Sequence, residues 1–538
     1  MPTAPESPRP DEVLPWTEPY PYEIHQLASG ADWQRLLAKY SRQPQSEAGE
    51  PPQPTDTDRP LRRCLEVARE NAARTAVVET RYIDLDYRSE YSSFYSRAFL
   101  AHEDSTHRIH FFKAELAADQ LFQLPGEPGY LGYMIIRPQV RGVVGRTMLA
   151  PPDSLRGAVR TGVVEKVNFF GQKLEVRAVP FMQQDARLGS CAHAAAWVCH
   201  YSAWLAGRGV ARRTIAEFSE AADPGLLPGR IVPSTGLSVQ QLSKLMSSFG
   251  LPPLYYEVKS LRASDRPESW PARTSKGKAN RVAADAATKR VCCRYLNSAL
   301  PVLAIVVQWR DGSGADGHAM VACGYVRLGN DEPDVHLIVN DDRRGPYLLV
   351  RNVISDEDPV SLERFSWAQV LIPLPEKLWL SGEAAERNGC IRLLAAARKA
   401  KAAGVPGAEW MLQLHADERL TVRTYATTSN RYKERLRLRT RDPILLQELS
   451  EARFPRYIWV VEAIHRSERE SGRLAGLPPH EVRCVAAEIL FDATSDDMDP
   501  VVLATRLPGF LALPKPYNPY WDTDCAESLL GTGGQYGP

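Results

Sequence analysis

A chain of 538 residues with 44% hydrophobic and 24% charged residues has the composition of an ordinary globular protein, long enough for about three domains. Its formal net charge of +1 supplies no bulk attraction to nucleic acid or to an anionic membrane. Met1 to Pro10 has neither a basic flank nor an apolar core, no apolar run reaches the roughly eighteen residues of a membrane span, and the nine scattered cysteines show no C-x-x-C spacing; a secretory signal, a membrane helix, a zinc site and a disulfide framework are therefore not expected, and a cytoplasmic, reducing location is.

Residues 1–60 are rich in proline, glutamate, serine and glutamine around one aromatic patch, Trp16 to Tyr22, and read as a mostly disordered arm. Over 61–178, strand-like segments at Thr75 to Leu85, Arg108 to Lys113, Leu131 to Arg137 and Ala158 to Asn168, with a helical stretch at Tyr87 to Leu100, predict an N-terminal α+β domain without a chemical motif. The unit at 179–375 differs. Gln183-Gln184-Asp185-Ala186-Arg187-Leu188-Gly189-Ser190-Cys191 leads into Ala194, Trp197, Val198, Tyr201, Trp204 and Leu205, apolar at three- and four-residue steps, which predicts a helix with one buried face and Cys191 in its first turn. Unpaired N–H groups and the helix dipole favour a thiolate there, and an upstream glutamine side chain can offer an N–H to an oxyanion. Gly236-Leu237-Ser238 with Val239, Leu242, Leu245 and Met246 reads as a capped amphipathic helix.

Residues 257–290 carry nine Lys/Arg against four acids and read as a basic surface insertion, a lid or a solvated loop. Pro301 to Val307 is a short β-branched strand, the Gly-rich stretch Asp311 to Gly317 leads into a second strand entered by His318, and a third at Val335 to Val339 ends in Asn340-Asp341-Asp342-Arg343-Arg344-Gly345-Pro346-Tyr347. A thiol, an imidazole and an amide or carboxylate brought from three elements is the grouping nucleophilic cysteine catalysis needs. Taken singly, a cysteine at a helix start or a histidine at a strand start is ordinary packing; it is the order and placement of the three that carries the reading. His193 is set aside as a base, because residues two apart on a helix do not face each other, and is expected in solvent or beside the substrate. Cys199 and Cys323 lie on apolar runs and read as core.

A third unit, 376–512, alternates helical segments (Arg392 to Ala403, Ile444 to Ala452) with strands (Leu420 to Ala426, Tyr457 to Ile464, Val482 to Phe491), a further α+β domain. Arg435, Arg437 and Arg439 alternate with Leu436 and Leu438, which on a strand gives one basic face, a charge-protected edge. Residues 513–538 read as an extended or disordered tail.

The Gly-Ser-Cys helix start, the Pro-Val strand, the Gly-His-Ala-Met-Val-Ala-Cys-Gly-Tyr segment and the Asn-Asp-Asp-x-x-Gly-Pro turn resemble the papain-like cysteine peptidase superfamily, and within it most the bacterial C39-like peptidases, over about residues 179–375. That resemblance implies an α+β papain-like catalytic core, which the segment patterns on either side flank with two α+β domains, and a protein or peptide substrate; no cofactor is expected. It also implies Cys191 as nucleophile, His318 as base, Asp341 as orienting residue and Gln184 as oxyanion donor. His318 follows Cys191 by 127 positions, near the roughly 130–150 of papain and cathepsins. Ala192 departs from the tryptophan or glycine that follows the nucleophile in these families, and Gln184 stands seven residues before Cys191 where six is usual. A papain-type alignment selects Asn340 as the third member in place of Asp341, and the choice stays open. The expected activity is hydrolysis of peptide or isopeptide bonds, with the flanking domains selecting a protein partner or substrate; a transglutaminase or acyltransferase on the same fold, and a catalytically silent interaction module, are the alternatives.

Overall fold

Three antiparallel sheets, of five, six and six strands, and one two-stranded ribbon organise an α+β chain. The computed structural model describes residues 21–41, 59–97, 102–126, 128–138, 142–185, 190–222, 236–258, 279–309, 315–327, 335–350, 364–417, 419–440, 442–465, 485–514 and 525–529. The first sheet takes β1 (Tyr22–Gln26), β2 (Thr75–Tyr82), β3 (Thr106–Phe112), β4 (Tyr130–Ile136) and β5 (Val144–Leu149) in chain order. Helices α1 (Gly30–Tyr40), α2 (Arg59–Glu70) and α3 (Leu85–Ser93) accompany it, and β6 (Val163–Phe169) pairs with β7 (Gln172–Ala178). The arm expected over 1–60 thus includes a strand and two helix starts; α1 carries a reciprocal Ser29–Asp32 cap and buries Trp33, Leu36 and Tyr40. Most of the Trp16 to Tyr22 patch lies outside the described residues.

Helices α4 (Cys191–Leu205), α5 (Ile215–Ala222) and α6 (Val239–Ser248) precede the second sheet. That sheet comprises β8 (Pro253–Glu257), β9 (Val302–Trp309), β10 (Ala315–Arg327), β11 (Val335–Asp341), β12 (Gly345–Val350) and β13 (Arg364–Pro373), in the spatial order β12-β11-β10-β9-β13-β8. Between β8 and β9 lies α7 (Ala279–Asn297), so the last part of the basic stretch is helix and not loop; residues 259–278 lie outside the described residues. The C-terminal part has α8 (Gly382–Ala402), α9 (Pro406–Ala416), β14 (Leu420–Thr428), α10 (Ser429–Arg439), α11 (Pro443–Glu451), β15 (Tyr457–His465), β16 (Val485–Asp492), β17 (Val502–Leu507), β18 (Phe510–Pro514) and β19 (Cys525–Leu529), with β14 to β19 in chain order as the third sheet. The expected tail therefore contributes an edge strand.

The arginine–leucine alternation at 435–439 is helix α10, not a strand. Thr428 caps it, and Leu436 is 2% exposed while Leu438 is 77% exposed. Two residues apart on a helix lie on opposite sides, so the period-two reading failed because one leucine serves the core and the other does not.

One apolar core joins the first sheet, α1, α2, α4, α5 and α6 to one side of the second sheet through Leu303, Ala319, Val321, Cys323 and Ile338. A second core fills the opposite side, with Met320, Ala322 and Val339 packed with α7, α8, α9 and the third sheet. The N-terminal unit meets β10 closely at Gly324: Tyr325 N–H donates to Ala158 O at 3.1 Å and Arg160 N–H to Cys323 O at 2.9 Å. A Cβ on Gly324 would stand 2.4 Å from Ala158 O, so only glycine fits. Among the described residues no helix is long and apolar enough to cross a membrane.

Candidate active site

Helix α4 begins where the sequence places it, but by an unusual cap. Ser190 is extended at the N-cap, and its N–H donates to Nδ1 of His193 at 3.1 Å. The imidazole fills the place a glutamate takes in a capping box. His193 is 2% exposed, and burial lowers its pKa to about 4, so it is a neutral buried group and not the solvated residue expected from sequence. The helix then buries Trp197 and Tyr201, stacked at 4.7 Å, with the Trp197 indole N–H on Asp86 at 3.2 Å. Packed from below, the first turn keeps Cys191 half-buried at the free end, where the N–H groups of its first residues have no intrahelical acceptor.

His318 stands opposite this end as the fourth residue of β10, inside the strand and not at its entrance as expected from sequence. Its Nε2 lies 2.9 Å from Asp341 Oδ1, and the next backbone N–H, that of Ala319, donates to Cys191 Sγ at 3.4 Å. The ring's Nδ1 is buried without a hydrogen-bond partner, and Cys191 is among the side chains that favour the charged ring. Burial opposes charging of the imidazole, yet the bonds to Asp341 and Cys191, with the charges of Asp341 and Asp342, raise its pKa to about 10. Asp341 is driven the other way: burial would raise it, but His318 and the Arg343 N–H, at 2.9 Å, hold it below the usual carboxylate value. A thiol, an imidazole and a carboxylate thus gather at one place, with Asp341 on Nε2 and the Cys191 sulfur against the backbone N–H of the next residue.

Asn340 and Asp341 part at the end of β11, as successive strand residues do. Asn340 donates to Pro180 O at 3.0 Å and accepts the Tyr347 N–H at 3.0 Å; it makes no bond to the imidazole and serves the fold. The turn after Asp341 is clamped from the N-terminal unit. Arg63 of α2 donates to Pro346 O at 3.2 Å and Tyr347 O at 3.4 Å, and the Tyr347 hydroxyl donates to Leu149 O while accepting the Val179 N–H, both at 2.8 Å. Gly345 takes φ +121°, and a Cβ there would meet the Arg63 side chain at 2.5 Å.

The glutamine segment is anchored from the same unit. Gln183 exchanges bonds with Val144 through both its backbone N–H (3.0 Å) and its side-chain oxygen (3.1 Å), Arg137 donates to Gln183 O at 2.7 Å, and Tyr95 donates to Asp185 at 2.7 Å. Gln184, half-buried between them, takes no part in these bonds; residues 186–189 lie outside the described residues. Cys199 and Cys323 are buried, with their thiol pKa values pushed up by burial, as core cysteines.

Sequence reasoning missed Asp342. It is 6% exposed, neither of its oxygens has a hydrogen bond, and Oδ1 lies 3.8 Å from His318 Nε2. Burial, offset in part by His318 and reinforced by Asp341, raises its pKa to about 7. The only available signal was a second acid after the expected one. His318, Asp341 and Asp342 have donor atoms within 4.8 Å of one another, but the 2.9 Å from Nε2 to Asp341 is hydrogen-bond contact, closer than the about 3.3 Å between two ligands of a tetrahedral zinc.

A scan against protein-family models gives no match, and a search of curated proteins gives none either. The case for chemistry rests on the site itself.

Proposed function

We propose that this protein is a cysteine peptidase, hydrolysing peptide or isopeptide bonds on a papain-like core through Cys191, His318 and Asp341. What supports the reading is one geometric fact: His318 holds Asp341 on Nε2 at 2.9 Å while Cys191 Sγ lies against the same segment, 3.4 Å from the Ala319 N–H. The Cys191 thiol gives its proton to Nδ1, and the thiolate attacks the substrate carbonyl carbon. Asp341 keeps Nε2–H in place and stabilises the imidazolium. The oxyanion is taken by the Gln184 side-chain N–H and the Cys191 backbone N–H. The imidazolium then protonates the departing amine, leaving a thioester. Water, deprotonated by Nδ1, attacks the thioester carbonyl, releases the acid and returns the proton to the sulfur. The units before and after the core select the polypeptide.

Cleavage of a mixed peptide library by the full chain, followed by mass spectrometry, tests this. Cys191→Ala and His318→Ala each abolish cleavage, and the double variant is no worse than either, because the pair acts as one device. Cleavage that survives Cys191→Ala overturns the proposal.

A further inference from the structure

We infer that Asp342 is a positioning residue for the reactive pair: a second buried carboxylate behind Asp341, acting on His318 across 3.8 Å to keep the imidazole protonated at neutral and alkaline pH. The inference rests on the thiol–imidazole reading of the site. Its own observation is that both Asp342 oxygens are buried without a hydrogen bond. A buried carboxylate with no partner is costly to the fold, and nothing in the packing here uses it. The ionisable groups around it are few: His318 from β10, Asp341, Arg343 and Arg344 from its own turn, and Cys191 of α4 on the ring. Asp341 is spent on its bonds to Nε2 and the Arg343 N–H. What remains for Asp342 is its charge.

That charge is conditional. With a pKa raised to about 7, the carboxyl is neutral in acid and ionised above neutrality. At an effective dielectric constant of about 20, two charges this close move a titration by up to about three units. Ionised Asp342 therefore postpones the loss of the imidazolium proton, and neutral Asp342 leaves the formation of the thiolate in acid unaffected.

The test is the pH dependence of Cys191 alkylation by iodoacetamide in the wild-type chain and in Asp342→Asn, with the labelled peptide quantified. The wild-type rate rises in two steps, one in acid as the thiolate–imidazolium pair forms and one in alkali as the imidazolium deprotonates. In Asp342→Asn the alkaline step moves down by about one unit or more and the acid step stays. An alkaline step that stays in place, or two steps that move together, overturns the inference. A wild-type chain with no acid step overturns the site reading instead. Should Asp342→Asn not fold, histidine-labelled Cys191→Ser carries the test: the His318 ring nitrogens shift near pH 7 as Asp342 ionises, and their silence there refutes its action on the ring.

Discussion

Two buried histidines in this molecule bond a carboxylate and end with opposite chemistry. In the first sheet His110 Nε2 lies 2.6 Å from Glu79, its Nδ1 is taken by the Tyr130 hydroxyl at 2.9 Å, and Arg108 donates to the same Glu79 oxygen at 2.6 Å. Burial and the Arg108 charge lower that imidazole to about 4, against the pull of Glu79. In the second sheet His318 has Asp341 at a similar distance, but its third charge is Asp342 and its other nitrogen has no hydrogen bond, and its pKa rises to about 10. A histidine–carboxylate pair is not by itself a catalytic device. The sign of the third charge, and whether the second nitrogen is already occupied, separate the structural pair from the one proposed to be reactive.

The two pairs differ most in what their carboxylates do. Asp341→Ala removes the partner of Nε2 and should lower turnover by about 10²–10⁴-fold. Asn340→Ala should leave the chemistry of the folded protein near wild type and cost stability, about 1–3 kcal/mol for the polar groups it orphans. Single-turnover rates and denaturant midpoints of the two variants decide; a larger loss of rate from Asn340→Ala reverses the assignment.

How much of this was legible depends on whether the signal was local. The start of α4, the strand β9 with the two strands bearing His318 and Asp341, and the divergence of Asn340 from Asp341 follow from apolar periodicity and strand alternation, which neighbouring residues encode. The burial of His193, the helical state of α10 and the clamp by Arg63 do not, because each depends on segments far away in sequence. Leu436 and Leu438 read alike until the core is known. Asp342 was invisible for the same reason: an acid beside an acid is ordinary until both its oxygens are found buried.

At the structural histidine the expected effect is smaller. Burial is the first cause that holds His110 neutral and the Arg108 charge the second; Arg108→Met takes away the second and leaves Glu79 as its dominant partner, so the His110 pKa should rise from about 4 toward its ordinary value, by one unit or more, in a histidine NMR titration. An unmoved His110 would mean burial alone sets it.

Stability against pH gives the smallest effect. A carboxyl whose folded pKa lies above its unfolded value stabilises the fold below the unfolded pKa, near 3.8, and loses that contribution as pH rises through the folded value, about 7. Asp342→Asn should therefore match wild type near pH 4 and exceed its stability above pH 7 by about 1–3 kcal/mol. Urea midpoints at the two pH values measure it, and a variant less stable than wild type above pH 7 would show the carboxylate to be a structural anchor.

The central claim is that one thiol among nine is made reactive by its place at the start of α4 beside His318. Cys64, Cys199, Cys323 and Cys390 are all buried, with thiol pKa values raised by burial. Brief treatment of the native chain with limiting iodoacetamide at about pH 6, where an ordinary thiol is almost wholly protonated, followed by peptide mass spectrometry, should find the label on Cys191 and lose it in His318→Ala. Label that falls first on any other cysteine, or that stays on Cys191 undiminished in His318→Ala, would contradict the account.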